Sequence, residues 1–300
     1  MMQPFDIQLY LREQKERVDK ALDKVLPAEK EFPPQIHQAM RYCLFAGGKR
    51  LRPILALAAA EAVGGNPESI ISQVCALELI HTYTLIHDDL PAMDNDDYRR
   101  GRLSTHKVFG EAVAILAGDA LLTEAFRVLA GNFSNDNHSP EKIIEIIRML
   151  ADASGSKGII GGQVVDLDSE GKVIEKDLLD YMHTRKTGYL ITASVTLGAI
   201  LGGAEEKTIQ CLKQYGMATG LAFQITDDIL DVRGSTENLG KQIGSDNKKG
   251  KATYPGILGM DEAIKRQTVL FRQAIDALQS FDEKANPLRG IAKLIIERDK

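Results

Sequence analysis

Five aspartates, Asp88, Asp89, Asp94, Asp96 and Asp97, fall within ten residues of the chain, and Arg99 and Arg100 follow at once. Carboxylates this crowded repel one another unless a cation sits among them. A hard divalent ion such as Mg2+ takes oxygen ligands and completes its shell with water and substrate phosphate. Guanidinium groups beside such a cluster suit an anionic guest, because their forks match phosphate. Taken alone, the stretch reads more readily as a solvated acidic loop.

A second stretch repeats the theme. Asp227 and Asp228 are paired, and Asp231 lies one helical turn beyond Asp227 on the same face. Gly220, Gln224, Asp227 and Asp231 step by 4, 3 and 4 along a mostly apolar helix, and Glu78, His81, Thr84 and Asp88 step by 3, 3 and 4 along another. Unpaired buried charges are very costly, so two apolar helices that each turn acids inward make a poor core. They suit opposite walls of a metal-filled cavity, and the sequence predicts that arrangement.

The elements that must position these groups are helical. Apolar residues recur at helical spacing nearly everywhere, and no alternating strand pattern stands out. Helices are predicted over residues 9–26, 36–45, 51–63, 67–88, 108–130, 141–154, 158–167, 176–185, 188–201, 205–232, 261–279 and 287–298. Ser104 and Thr105 can cap the fifth of these. Residues 132–140 and 233–250 read as polar loops, the second one mobile and able to close over a bound substrate. No linker separates domains, so one all-α domain over residues 1–300 is expected.

Composition narrows the classes. The 44% hydrophobic content is enough for a sizeable core, and a net charge of -5 favours neither nucleic acid nor an anionic membrane as partner. The three cysteines, Cys43, Cys75 and Cys211, form no CxxC pair, which fits a reducing, cytoplasmic setting. The N-terminus has no signal-peptide pattern. Residues 187–204 carry no charge over eighteen positions, the lower limit for a spanning helix, but glycines and hydroxyl residues interrupt them, so no membrane span is expected. His37, His138 and His183 show no partner pattern and read as surface histidines. His81 and His87 do not share a helix face, which argues against zinc.

Smaller motifs add cations. Gly47-Gly48-Lys49-Arg50-Leu51-Arg52-Pro53 places three cations behind two glycines, ahead of a helix. Glycines let a backbone approach a ligand and a helix N-terminus favours an anion, though a basic surface turn reads equally well. Gly162-Gln163 with Asp166, Lys186-Thr187, Lys241 and the Lys248-Lys249-Gly250-Lys251 run each have an ordinary surface reading too.

Together these motifs, in this order, resemble the short-chain trans-prenyltransferases, and within them the bacterial farnesyl diphosphate synthases. Asp88-Asp89-Leu90-Pro91-Ala92-Met93-Asp94 followed by Arg99-Arg100 is similar to the family's first aspartate-rich motif, and Asp227-Asp228-Ile229-Leu230-Asp231 to its second. The basic, Gly162-Gln163, Lys186-Thr187, Phe223-Gln224 and Lys251-Ala252-Thr253-Tyr254-Pro255 motifs match as well, so the resemblance runs from about residue 5 to the C-terminus.

The resemblance implies an all-α isoprenoid-synthase bundle with a deep central cavity, and a homodimer. It implies Mg2+ at Asp88, Asp94 and Asp227, with Asp89, Asp228 and Asp231 as supporting acids. Arg99, Lys186, Lys241 and Lys251 would hold the allylic diphosphate (dimethylallyl or geranyl). Gly48, Lys49, Arg52, His81 and Arg100 would hold isopentenyl diphosphate. Thr187 and Gln224, with Lys186, would line the reacting carbons. Diphosphate leaves once its charge is neutralised, the isopentenyl double bond attacks the allylic cation, and a proton is lost to the departed diphosphate. Water must be excluded throughout.

Tyr83 and Thr84 lie roughly 6 to 8 Å before the first aspartate if the segment is helical. The family places its product-length floor here, usually with the Pro91-Ala92 extension in bacterial members, so fifteen-carbon farnesyl diphosphate is expected. Geranylgeranyl or geranyl diphosphate are the alternatives within the family. A terpene cyclase needs no second diphosphate site, squalene-type synthases space their acids differently, and a silent regulatory subunit tends to lose an aspartate motif that is intact here.

Overall fold

A computed structural model describes residues 5–131, 139–233 and 251–298. The architecture is all-α, as the periodicity predicts, with one small hairpin among the described residues. The chain divides into two compact units, the first formed by Gln8–Leu57 and Glu68–Ile147, the second by Met1–Ile7, Ala58–Pro67 and Arg148–Lys300.

The first unit is built on α1 (Ile7–Val25), α2 (Pro34–Leu44), the start of α3 (Leu51–Ala62), α4 (Ile71–Asp88), α5 (Thr105–Phe109) and α6 (Glu111–Ala130). Pro34 opens α2, where a missing N–H costs nothing. Helix α4 is its axis: Val74, Cys75, Ala76, Leu77, Leu79 and Ile80 have no exposure, and α6 packs along it. With the 3-10 turn before it, Pro67–Asp88 is long and apolar enough to cross a membrane, but 67% of that window is buried inside the protein. A helix apolar all round is what a core position requires. Residues 187–204, which drew the same suspicion from sequence, hold another buried helix, Tyr189–Leu201, in the second unit.

Two local predictions fail for identifiable reasons. The expected helix over 108–130 is two helices, because Gly110 takes a left-handed φ of 84° between α5 and α6, and Ser104 makes no side-chain cap. The expected absence of strands misses β1 (Tyr98–Arg99) and β2 (Arg102–Leu103), paired antiparallel. Their two-residue turn has Arg100 at φ 53° and Gly101 at φ 76°, the positive pair that matches strand twist. An arginine in that position gives little sequence signal.

Glu78 does not point toward a metal cavity as its stripe suggested. Arg50 reaches it through Nη1 at 2.8 Å, binds Asp19 through Nε at 2.7 Å, and donates to the Leu44 carbonyl at 2.7 Å. Arg50 and Glu78 are 2% and 1% exposed. Of the three cations in the basic motif, the middle one is therefore structural.

The second unit contains the end of α7 (Pro140–Ser154), then α8 (Ile159–Ser169), α9 (Lys176–His183), α10 (Tyr189–Leu201), α11 (Glu206–Arg233), α12 (Tyr254–Leu258), α13 (Met260–Asp276) and α14 (Asn286–Glu297). A π-helical turn, Thr184–Gly188, joins α9 to α10 without a break where two separate pieces were predicted. Helix α11 packs on α10 and α13, and the Tyr215 hydroxyl ties it to the Leu288 carbonyl of α14 at 2.7 Å.

Candidate active site

In the first unit, α4 delivers Asp88 in its last turn and Asp89 at its C-cap. The chain then folds back: Asp94 N–H donates to the Asp88 carbonyl at 2.9 Å and Asn95 N–H to the Leu90 carbonyl at 3.0 Å. Asp89 is 1% exposed and held by Arg99, whose Nε donates to it at 2.9 Å and which also reaches Asp96 at 3.4 Å. Asp88 and Asp94 stay partly exposed.

The hairpin turn carries Arg100 to the basic motif. Its guanidinium donates to the Gly47 carbonyl and lies over the bare Cα of Gly48, where a Cβ would come within 2.6 Å of Nη1. Desolvation, then the positive charges of Arg52, Arg100, Arg99 and Arg50, hold part-buried His81 well below its usual value, so it is neutral. Gly48, Arg52, His81 and Arg100 are thus brought together in a strongly positive field, and exposed Lys49 lies beside Gly48 in the chain. That field suits an anion.

In the second unit the π turn presents Lys186 and Thr187. Such turns widen the helix and recur at functional sites. Gly162 makes room for it, since a Cβ there would meet the Lys186 backbone nitrogen at 2.6 Å. Lys186 Nζ pairs with Asp166 at 2.5 Å. The Thr187 hydroxyl donates to Gln224 Oε1 at 3.1 Å, and Gln224 Nε2 donates to Asp228 at 2.9 Å. Asp228, 2% exposed, also accepts the Tyr254 N–H at 2.9 Å, which fastens the segment starting at Lys251 to α11. Asp227 and Asp231 are partly exposed, and Asp227 pairs with Arg298, whose guanidinium stacks on Phe223 at 4.2 Å. Lys241, with Lys248, Lys249 and the loop meant to close over substrate, lies outside the described residues.

The two motifs share a pattern: the first aspartate is partly exposed, and the second is buried and tied by hydrogen bonds. Among the described residues no three of His, Cys, Asp and Glu could hold a metal by themselves. Mg2+ does not need that, because one or two carboxylates plus substrate phosphates commonly suffice. Partly exposed carboxylates beside cationic pockets therefore fit Mg2+.

Several site neighbours escaped the sequence reading. His183 is not on the surface: it is 5% exposed, stacked on Tyr254 at 5.3 Å, and 3.8 Å from Asp228. Leu179, Met182 and His183 are spaced as one buried helix face, a signal that was present. Arg298 gave none, because its contact with Asp227 spans 71 positions. Gln163, 7% exposed, has a carboxamide with no protein partner among the described residues, as expected of a group that serves a ligand or water.

Burial lowers the His183 pKa from 6.5 to about 4. Between those values the unfolded chain binds the extra proton, so stability from this residue is lost as pH falls from 6.5 towards 4. His183→Leu is expected to flatten the dependence of Tm on pH across that window, and an unchanged slope would refute the assignment.

In each unit of this all-α fold an aspartate pair lies beside cationic side chains. The profile described as Polyprenyl synthetase matches residues 33–289, and the chain belongs to that family of prenyltransferases. It is 47% identical over 298 residues to the chloroplastic heterodimeric geranylgeranyl pyrophosphate synthase large subunit 1 of Arabidopsis thaliana, covering 98% of this chain and 80% of that one. It is 42% identical over 298 residues to the farnesyl diphosphate synthase of Geobacillus stearothermophilus, covering 99% and 100%. The crystal structure of an FPP/GFPP synthase from Zymomonas mobilis superposes with a TM-score of 0.86 at 35% identity, covering 97% and 98%.

Proposed function

We propose that this prenyltransferase condenses isopentenyl diphosphate with dimethylallyl and then geranyl diphosphate, releasing (2E,6E)-farnesyl diphosphate. Asp88, Asp94 and Asp227 would hold Mg2+, with Asp89, Asp228 and Asp231 in support. Bound Mg2+ would neutralise the charge that develops on the departing diphosphate. Arg99, Lys186, Lys241 and Lys251 would grip that diphosphate, while Gly48, Lys49, Arg52, His81 and Arg100 would hold isopentenyl diphosphate. Neutral His81 can share a hydrogen bond there without adding charge. Thr187, fixed by Gln224, would place its oxygen beside the reacting carbons, a dipole rather than a base. The family match runs through both units, which supports a single catalytic domain, and a cytoplasmic homodimer is the working assembly of this reading.

One observation carries the fifteen-carbon product. Tyr83 is 4% exposed and sits five residues before Asp88 on α4, about 7.5 Å along the helix. Burial and the Asp88 charge raise its pKa to about 12, so the ring is neutral. A chain anchored at Asp88 and growing along α4 would meet it. The Thr84 hydroxyl is committed to the His81 carbonyl at 2.7 Å, and in this reading the larger Tyr83 ring is the floor. Relatives named for geranylgeranyl products favour a twenty-carbon product instead.

Purified protein given isopentenyl and geranyl diphosphates with Mg2+ is expected to yield farnesyl diphosphate, and Tyr83→Ala to shift product to twenty carbons or more at comparable substrate consumption. Twenty-carbon product from the unmodified protein would establish the second reading.

A further inference from the structure

The ring of Tyr83 does not stand alone. His87, one turn further along α4, meets it edge-on, with centroids 5.8 Å apart and planes at 77°. The imidazole is itself fixed by α6. Its Nε2 lies 3.0 Å from the Ile115 carbonyl oxygen, and since a carbonyl only accepts, Nε2 carries the proton and donates. The ring rests on Gly118: a Cβ built there would fall 2.1 Å from Nε2 and 2.5 Å from Cδ2. No side chain larger than hydrogen leaves room for the imidazole in this place. All four residues belong to the first unit.

Aromatic edges packed this way resist rotation of the partner ring, and a floor limits chain growth only as far as it resists being pushed aside. A ring free to swing would let a fifteen-carbon chain extend and accept another unit. We infer that His87, seated on Gly118, is a specificity determinant that fixes product length by holding Tyr83 in place. It is a positioning residue: it acts through Tyr83 and not on substrate. The inference rests on the reading of Tyr83 as the floor and extends it to His87 on the same helix and Gly118 on α6.

The test is product distribution from geranyl and isopentenyl diphosphates with Mg2+, expressed as the share of each chain length so that loss of turnover does not enter. His87→Ala is expected to raise the share of products beyond fifteen carbons roughly tenfold, the discrimination a displaced pocket wall can forfeit. His87→Phe keeps a ring edge against Tyr83 and should restore the unmodified distribution. In a Tyr83→Ala background, His87→Ala should add nothing. Gly118→Ala should alter the distribution in the unmodified protein but not in a His87→Ala background, where the new methyl group has nothing to displace. His87→Ala with an unchanged distribution, beside a Tyr83→Ala that does lengthen product, would overturn the inference alone. Additive lengthening in the double variant would also overturn it, because His87 would then act independently. A Tyr83→Ala that does not lengthen product would remove the floor itself, and the role of His87 with it.

Discussion

Asp88→Ala and Asp227→Ala are each expected to lower kcat by roughly a hundredfold to a thousandfold, the loss typical when a charge-stabilising group is removed from a reacting centre. Each is the partly exposed first member of its motif, while Asp89 and Asp228 are buried with their oxygens engaged. The first members are thus the ones able to exchange a partner for a metal ion. Their removal should spare the fold: the side chain of Asp227 is 43% exposed, and its half-buried partner Arg298 keeps its bond to the Phe223 carbonyl and its stacking on the Phe223 ring. Steady-state kinetics beside far-UV circular dichroism would check both halves, and chelation of Mg2+ should bring the unmodified protein at least as low. Near-normal turnover in either variant would remove that aspartate from the proposed metal site.

Glu78→Ala should produce the largest loss of stability. It leaves the Arg50 guanidinium, 2% exposed, without its buried counter-ion. Breaking a buried pair from one side costs about 3 to 5 kcal/mol, because the remaining charge has lost its solvation and its partner. Arg50 keeps Asp19 and the Leu44 carbonyl, so the lower part of that range is expected. That corresponds to a fall in Tm on the order of 10 °C for a chain of this size. Replacing both partners, as Arg50→Met with Glu78→Leu, should recover most of the loss, since an apolar pair of similar volume meets no desolvation cost. Thermal unfolding of the single and double variants would decide it; a double variant no better than Glu78→Ala would show that the charges themselves are required.

What the sequence disclosed and what it withheld divide along contact distance. Helix positions followed from period and punctuation, since Pro34, Pro67 and the apolar repeats of α4 and α11 act within a turn or two. The aspartate, basic and Lys186-Thr187 motifs were legible because each packs several functional groups into a few residues. Contacts between distant segments were not: Arg50 with Glu78, Arg298 with Asp227 and Tyr254 with Asp180 join positions that no local pattern links. Glycines were poorly legible. Even Gly110 and Gly101, which break and turn the chain as glycines do, were passed over by the apolar periodicity, and Gly118 and Gly162 lie inside regular helices, where their use is to admit a neighbour.

The π turn at Thr184–Gly188 has a consequence for how α10 can vary. A π turn takes up one residue more than an α turn, and each residue in a helix accounts for about 100° of rotation. Every side chain beyond Gly188 is therefore turned by about that angle relative to an uninterrupted α9. The fully buried face of α10, from Leu190 to Leu201, is in phase with its neighbours because of that extra residue. The turn acts as a phase adjuster between two halves of one rod. The same extra residue that offers Lys186 and Thr187 also keeps thirteen residues of core helix facing the right way, so function and packing cannot be altered separately at this point.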